Sequence, residues 1–247
     1  MSNKQRKENK MALKAKEKSI SSESKGKTVY PIIFIMAMCH LLNDSLQAVI
    51  PAMFPILEKS LGLTFTQLGL ISFVLNMASS MTQPLVGMYT DKRPMPYALP
   101  IGLTISMFGI LGLAYAPSFW TILFCVLLIG LGSAIFHPEG SRVAYLAAGS
   151  RRGLAQSIYQ VGGNTGHALA PIITALVLVP LGQFGVIWFT LSAGIAILFL
   201  LYISKWYAIK IKEMTPRTNT YRKKVKGISK AIKVAIILLV FLVFIRS

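Results

Sequence analysis

The sequence predicts an all-α protein that crosses a membrane several times. Of its 247 residues, 54% are hydrophobic and only 14% are charged, whereas a soluble domain carries about a quarter charged residues. Residues 94–138 contain no Asp, Glu, Lys or Arg, and neither do residues 153–204. A helix needs about 20 mostly apolar residues to cross a bilayer, so these runs are long enough to form membrane spans.

Six spans are predicted, and each ends at charged residues or at residues that favour turns. The spans are residues 30–57, 66–89, 95–115, 120–147, 153–179 and 184–204. The segments that separate them are, in order, residues 58–59 (EK), 92–93 (KR), 116–119 (APSF), 151–152 (RR) and 180–185 (PLGQFG). Residues 29–206 are therefore expected to form one six-span bundle.

The loop charges predict the orientation of this bundle. The loops after spans two and four carry Lys and Arg, whereas the loops after spans three and five carry no charge and the first loop holds one acid and one base. Cytoplasmic loops collect Lys and Arg during insertion. We therefore expect a multi-pass protein of the plasma membrane with both ends of the six-span block in the cytoplasm.

The net charge of +18 has two sources, both next to predicted spans. Lys and Arg crowd residues 1–28, which read as a disordered cytoplasmic tail, and residues 207–230, which read as a cytoplasmic loop. This distribution argues against nucleic acid as a partner, because a nucleic-acid surface needs a folded basic face. The expected partner is the lipid bilayer.

The last predicted segment is short. Residues 234–245 are twelve apolar residues, which as a helix reach about 18 Å of a hydrocarbon core of about 30 Å. Residues 231–247 are therefore expected to be a truncated seventh span.

Polar residues at helical spacing suggest a pathway through the bundle. His40, Asn43, Asp44 and Gln47 share one face of span one, because they stand at i, i+3, i+4 and i+7. Polar groups in hydrocarbon are costly and tend to face a cavity or the bundle interior. The candidate proton and solute pathway therefore comprises these four residues together with Asn76 of span two and with Gln160, Asn164 and His167 of span five.

A second group of polar residues lies near the end of span four. His137, Glu139 and Arg142 follow a long uncharged run, and the i, i+3 spacing of the acid and the base predicts an ion pair. Such a pair could be purely structural or could gate transport. The two cysteines form no disulfide framework, and the ligand spacing fits no familiar zinc pattern, so no metal site and no cofactor are expected.

Three stretches of the sequence resemble a known family. The loop GMYTDKR, with Gly87, Asp91, Lys92 and Arg93, resembles the signature loop of major facilitator superfamily transporters. Residues 40–57 and 130–171 resemble the fosmidomycin resistance branch of that superfamily. The resemblance implies the six-helix N-terminal half of a twelve-span fold, with a conformational or gating role for this loop and for His137, Glu139 and Arg142.

The leading hypothesis is therefore a proton-coupled exporter of small drugs, present as its N-terminal half, in which Asp44 exchanges protons. Its other partners would be a small solute and the missing C-terminal half. The alternative is a truncated fragment that does not transport. A third hypothesis, an intramembrane enzyme that uses His137, Glu139 and His167, is disfavoured because no HExxH or GxSxG motif occurs.

Overall fold

The computed structural model describes residues 27–221, with side chains as far as Glu213, together with Val234 and Leu238. Nearly all of the predicted tail, residues 222–230 of the predicted loop and nearly all of the predicted seventh span lie outside the described residues. The all-α prediction is confirmed, since no strand occurs among residues 27–221. The bundle lies within the first of two units, Met1–Ala208, and a Lys210–Glu213 ion pair of 2.9 Å lies in the second unit, Ile209–Ser247.

The first predicted span is two helices. Helix α1 is Tyr30–Ala52 and helix α2 is Phe54–Leu61, with the break at Met53. Two prolines, Pro51 and Pro55, flank the break, and each removes a backbone donor and crowds the preceding turn. Helix α2 ends at Gly62, whose φ of 63° is a left-handed conformation that suits glycine.

The next three helices match the predicted spans to within a few residues. Helix α3 is Phe65–Lys92, helix α4 is Ala98–Ala114 and helix α5 is Phe119–Ala147. Helix α3 begins with a capping box, because the Thr64 hydroxyl accepts from the Gln67 amide while the Gln67 side chain accepts from the Thr64 amide.

The fifth predicted span is interrupted where its prolines and its following turn lie. Helix α6 is Arg152–Ala168; helix α7 (Ala170–Ile173), a π-helical turn (Thr174–Leu178), helix α8 (Val179–Leu181) and a 3₁₀ segment (Gly182–Ile187) follow it. Helix α9 is Trp188–Tyr221, so it begins later than the predicted sixth span and continues well past Ser204. Its extension contains Lys, Ile and Glu, which permit a helix once the apolar run has ended.

By length and composition, three helical stretches of the described chain are suited to cross a membrane: Tyr30–Ala52, Phe119–Ala147 and the continuous stretch Arg152–Glu213. This is fewer than the six predicted spans for three reasons. The stretch from Arg152 contains two of the predicted spans, and α4 has only 17 residues. Helix α3 contains the polar residues Asn76, Ser79, Ser80 and Gln83, which lower its hydropathy.

Helix α5 lies at the centre of the bundle. It packs against α3 and α4 on one side and against α1 and α6 on the other, and α1 also packs closely along α6. Glycines allow these close approaches. A Cβ at Gly109 of α4 would lie 2.7 Å from the carbonyl oxygen of Cys125, and one at Gly130 of α5 would lie 2.7 Å from the Ala78 Cβ. Helices α3, α4 and α5 thereby pack in close contact.

Candidate functional site

A buried carboxylate on α1 is the centre of the candidate site. Asp44 is only 4% exposed, and His40 and Asn43 on the same helix are buried with it. Its Oδ1 accepts hydrogen bonds from Asn43 Nδ2 at 3.0 Å and, more weakly, from Gln47 Nε2 at 3.5 Å. The helical face predicted from the spacing of these four residues therefore does assemble around one acid.

All three histidines of the chain meet at this carboxylate. The Nε2 atom of His40 lies 3.2 Å from Asp44 Oδ2, that of His167 lies 3.5 Å from the same oxygen, and that of His137 lies 3.7 Å from Oδ1. They come from α1, α6 and α5 respectively. A set of three imidazoles around one carboxylate can hold a proton or another cation, because every ring directs a nitrogen at the acid.

The proton on His40 is assigned by its second contact. Its Nδ1 lies 2.8 Å from the backbone carbonyl oxygen of Tyr159, and its ring stacks on the Tyr159 ring at 4.0 Å with an interplanar angle of 16°. A carbonyl oxygen only accepts hydrogen bonds, so Nδ1 carries the hydrogen. Nε2 therefore faces the carboxylate either as a lone pair or as the second N–H of an imidazolium.

Glycines on α6 let this helix approach the acid. A Cβ at Gly163 would lie 2.6 Å from Asp44 Oδ2 and 2.5 Å from His40 Cε1. A Cβ at Gly162 would collide with the backbone of Ala37, and one at Gly166 would lie 3.0 Å from the Ser45 nitrogen. Larger residues at these positions would push α6 and its histidine away from Asp44.

The remaining predicted pathway residues lie on exposed faces of their helices. Asn76 on α3 donates from Nδ2 to the carbonyl oxygen of Ser72 at 2.8 Å, so it bonds within its own helix and does not join the carboxylate cluster. Gln160 and Asn164 are exposed on α6, the helix that carries His167. The structure thus brings five of the eight predicted pathway residues together at one point.

A second polar cluster surrounds Arg142 on α5. Its Nη1 forms an ion pair with Oε1 of the fully buried Glu139 at 2.8 Å, although the angle does not meet hydrogen-bond geometry. The same nitrogen donates a hydrogen bond to the carbonyl oxygen of Thr90 at 2.9 Å. Its Nη2 pairs with Asp91, at the end of α3. Glu139 Oε2 accepts from the Tyr207 hydroxyl at 3.1 Å. The ion pair expected from the i, i+3 spacing is present, and its contacts extend to the C-terminal end of α3.

The other predicted gating residues do not lie in the Arg142 cluster. His137 belongs to the Asp44 cluster, whereas Lys92 and Arg93 are exposed. A Cβ at Gly87 would lie 3.9 Å from the Pro138 Cβ, so this glycine contacts α5 loosely. The three residues considered for an intramembrane enzyme are also separated, because Glu139 bonds to Tyr207 while His137 and His167 face Asp44.

Two tyrosines that complete these clusters escaped the sequence analysis. Tyr159 is 2% exposed and its hydroxyl has no hydrogen-bond partner among the described residues, while Tyr207 is fully buried against Glu139. Each stands in or next to an apolar run, where it looks like an interfacial aromatic residue. The one available signal was their helical position close to polar residues, which does not distinguish them from other tyrosines.

One group of these residues has the geometry to hold a metal ion. The ligand atoms of His40, Asp44 and His137 all lie within 4.8 Å of one another. No ligand spacing in the sequence predicts this group, because two of these residues are on α1 and the third is on α5.

Comparison with known proteins supports a transporter relationship. The family model of the Major Facilitator Superfamily matches residues 33–246. An uncharacterised MFS-type transporter of Bacillus subtilis, YfnC, is 64% identical over 230 residues, which are 92% of this chain and 56% of the relative. The fosmidomycin resistance protein of Escherichia coli is 47% identical over 188 residues, 76% of this chain and 46% of the relative.

A solved structure shares the fold. The crystal structure of tetrameric PepTSo2 superposes with a TM-score of 0.57 at 19% identity, covering 84% of this chain and 46% of that one. The chain thus spans about half the length of the curated relatives and of this structure. The predicted fold class, a six-helix half of such a transporter, is confirmed by this match.

Proposed function

We propose that this chain, which belongs to the Major Facilitator Superfamily, is the N-terminal half of a proton-coupled exporter of small drugs. The fosmidomycin resistance relative supports drugs of that kind as the solute. The observation that carries the coupling is the buried Asp44 carboxylate with three imidazole nitrogens at 3.2–3.7 Å. The proposed activity needs no enzyme chemistry and no cofactor.

The proton would be exchanged at the Asp44 cluster. Because His40 Nδ1 already donates to a carbonyl oxygen, a neutral His40 and a charged Asp44 would present two acceptors to each other at 3.2 Å. A proton between them removes that repulsion. His167, with its side chain 57% exposed, offers a route by which this proton leaves.

The solute would pass along the exposed polar side chains. Asn76, Gln160 and Asn164 are exposed on helices of the bundle, and amide side chains are poorly accommodated by acyl chains. Their exposure supports a wet pathway beside the Asp44 cluster, which a second six-helix half would close. Solute and proton would then bias the rocking of the two halves.

The Arg142 cluster would hold one conformation of this cycle. Asp91, at the end of α3, is 73% exposed in its side chain yet pairs with Arg142, which also lies against the buried Glu139. An exposed acid that links the end of α3 to the central helix α5 can exchange partners when the halves move. Lys92 and Arg93 beside it support a cytoplasmic position for this loop and a plasma-membrane location for the bundle.

The decisive experiment measures drug efflux with one acid replaced. The chain would be joined to the second half of the Bacillus relative, because the two are 64% identical, and expressed in cells that lack their own fosmidomycin exporter. We expect Asp44→Asn to abolish proton-driven efflux, since it removes the charge that the proton neutralises. Glu58→Gln, which removes an exposed acid of α2, is the matched control.

Two comparisons of efflux distinguish the possible outcomes. Export by Asp44→Asn at the level of Glu58→Gln, at equal protein abundance, would rule Asp44 out as the coupling residue. Comparison of the joined protein with the 247-residue chain alone tests the alternative of a fragment that does not transport. Efflux by the joined protein only would show that the chain needs a second half, and efflux by neither would favour the alternative.

A further inference from the structure

We propose that His40, Asp44, His137 and His167 form a binding site for a divalent transition-metal ion of the Zn²⁺ class. Nothing in the transport proposal requires such an ion. The site needs only these four side chains, so it stands or falls independently of whether the protein exports drugs.

The spacing of the donor atoms fits a four-coordinate ion. Zn²⁺ binds imidazole nitrogen and carboxylate oxygen at about 2.0–2.1 Å, almost always in tetrahedral geometry, which separates neighbouring ligand atoms by about 3.3–3.4 Å. The three nitrogen–oxygen distances at Asp44 are 3.2, 3.5 and 3.7 Å. The ligand atoms of His40, Asp44 and His137 lie within 4.8 Å of one another, so these side chains would rotate inward to reach tetrahedral spacing around an ion. His167 would join them from the side of Asp44 Oδ2, where its Nε2 already lies at 3.5 Å.

The hydrogen bonds of the cluster also match those of a metal site. A metal-bound histidine usually donates its other ring N–H to a carbonyl or carboxylate, which fixes the ring and its lone pair. His40 does this, since Nδ1 bonds to the Tyr159 carbonyl oxygen at 2.8 Å and leaves Nε2 directed at Asp44. Asn43 holds the same carboxylate from its other oxygen at 3.0 Å. A cation between Nε2 and Oδ2 relieves the repulsion of two facing lone pairs.

The donor types select the class of ion. Three imidazoles and one carboxylate suit Zn²⁺, Ni²⁺ and Cu²⁺, whereas Ca²⁺ and Mg²⁺ prefer oxygen ligands throughout. An ion can reach the site because His137 and His167 have side chains that are 24% and 57% exposed. Once bound, it would connect α1, α5 and α6 and compete with protons for the same nitrogens.

The chain offers a clean test because it has no other histidine. The 247-residue protein would be purified in detergent through a tag without histidine and titrated with Zn²⁺ by calorimetry. A second titration would use Cu²⁺ and electron paramagnetic resonance. We expect saturation near one equivalent of Zn²⁺ and nitrogen hyperfine splitting on Cu²⁺ from at least two imidazoles.

Variants assign the binding to this cluster. His137→Gln and His167→Gln change the two partly exposed ligands, and each should weaken Zn²⁺ binding by at least about tenfold, the lower bound for loss of a supporting metal contact. Cys125→Ser, which removes a buried sulfur on α5, should leave the affinity unchanged. Circular dichroism and gel filtration check that each variant is folded.

Three results would overturn the proposal: no saturable Zn²⁺ binding, equal affinity in the His137→Gln/His167→Gln double variant, or a Cu²⁺ spectrum without nitrogen splitting. The Cu²⁺ spectrum is recorded on the unmutated chain, so it decides the matter even where a variant fails to fold. Zn²⁺ binding without drug efflux by the joined protein would establish the metal site and refute only the transport proposal. Efflux without Zn²⁺ binding would support the transport proposal and refute only the metal site.

Discussion

Replacement of Gly162 by alanine tests the close packing that positions the site. Gly162 is buried on α6, and a Cβ there would collide with the carbonyl oxygen of Ala37 and lie 2.8 Å from its carbonyl carbon and 3.0 Å from its Cα. These are backbone atoms of α1 and cannot rotate away as a side chain would. The two helices must therefore separate to accept the new methyl group.

The expected loss of stability is the difference between two effects. Overpacking costs about 1–3 kcal/mol, and the upper end applies because the obstacle is backbone. Alanine in place of glycine in a helix recovers about 1 kcal/mol. We therefore expect Gly162→Ala to lower the free energy of unfolding by about 2 kcal/mol.

The assay is reversible unfolding in mixed micelles, with helix content followed by circular dichroism as the SDS fraction rises. Gly153→Ala is the matched control, because this glycine lies on the same helix with nothing within 4 Å of its added Cβ. It should leave the stability unchanged or slightly raised. The reasoning is refuted if Gly162→Ala unfolds at an SDS fraction equal to or above that of Gly153→Ala.

Three further predictions concern other parts of the bundle. Arg142→Ala should lower the free energy of unfolding by about 3–5 kcal/mol in the same assay, since it leaves the fully buried Glu139 without its cation. Asp91→Asn, which changes the exposed partner of Arg142, should change the free energy of unfolding by less than about 1 kcal/mol. Equal effects of the two variants would contradict this prediction. The cysteine of Lys92→Cys, an exposed position, should react with a membrane-impermeant maleimide in inside-out vesicles but not in intact cells. Labelling in intact cells would contradict the proposed orientation. Thr64→Ala should cost about 1 kcal/mol through loss of the α3 capping box, and an unchanged SDS midpoint would show that the cap contributes nothing.

Much of the fold could be predicted from local patterns. Uncharged runs located the helices because burial in lipid depends mainly on the composition of about 20 consecutive residues. The positions at which helices are interrupted are harder to predict. The break at Met53 between Pro51 and Pro55, and the interrupted stretch after Ala168, depend on how neighbouring helices accept a bent backbone. Helix α9 also continues past its apolar run, through Thr215, Pro216 and Asn219, which are poor helix formers, so neither hydropathy nor propensity predicts its length.

The sequence by itself determined that this is a helical membrane protein with His40 and Asp44 on one helix face, because helical periodicity is a local property. Only the tertiary structure decided that His137 and His167, from two other helices, direct their nitrogens at the same carboxylate. It likewise decided that Tyr207 reaches Glu139. The physical reason is that a helix face can be read from spacing. Which faces meet depends instead on packing between residues at least 68 positions apart, through glycine contacts that periodicity does not encode.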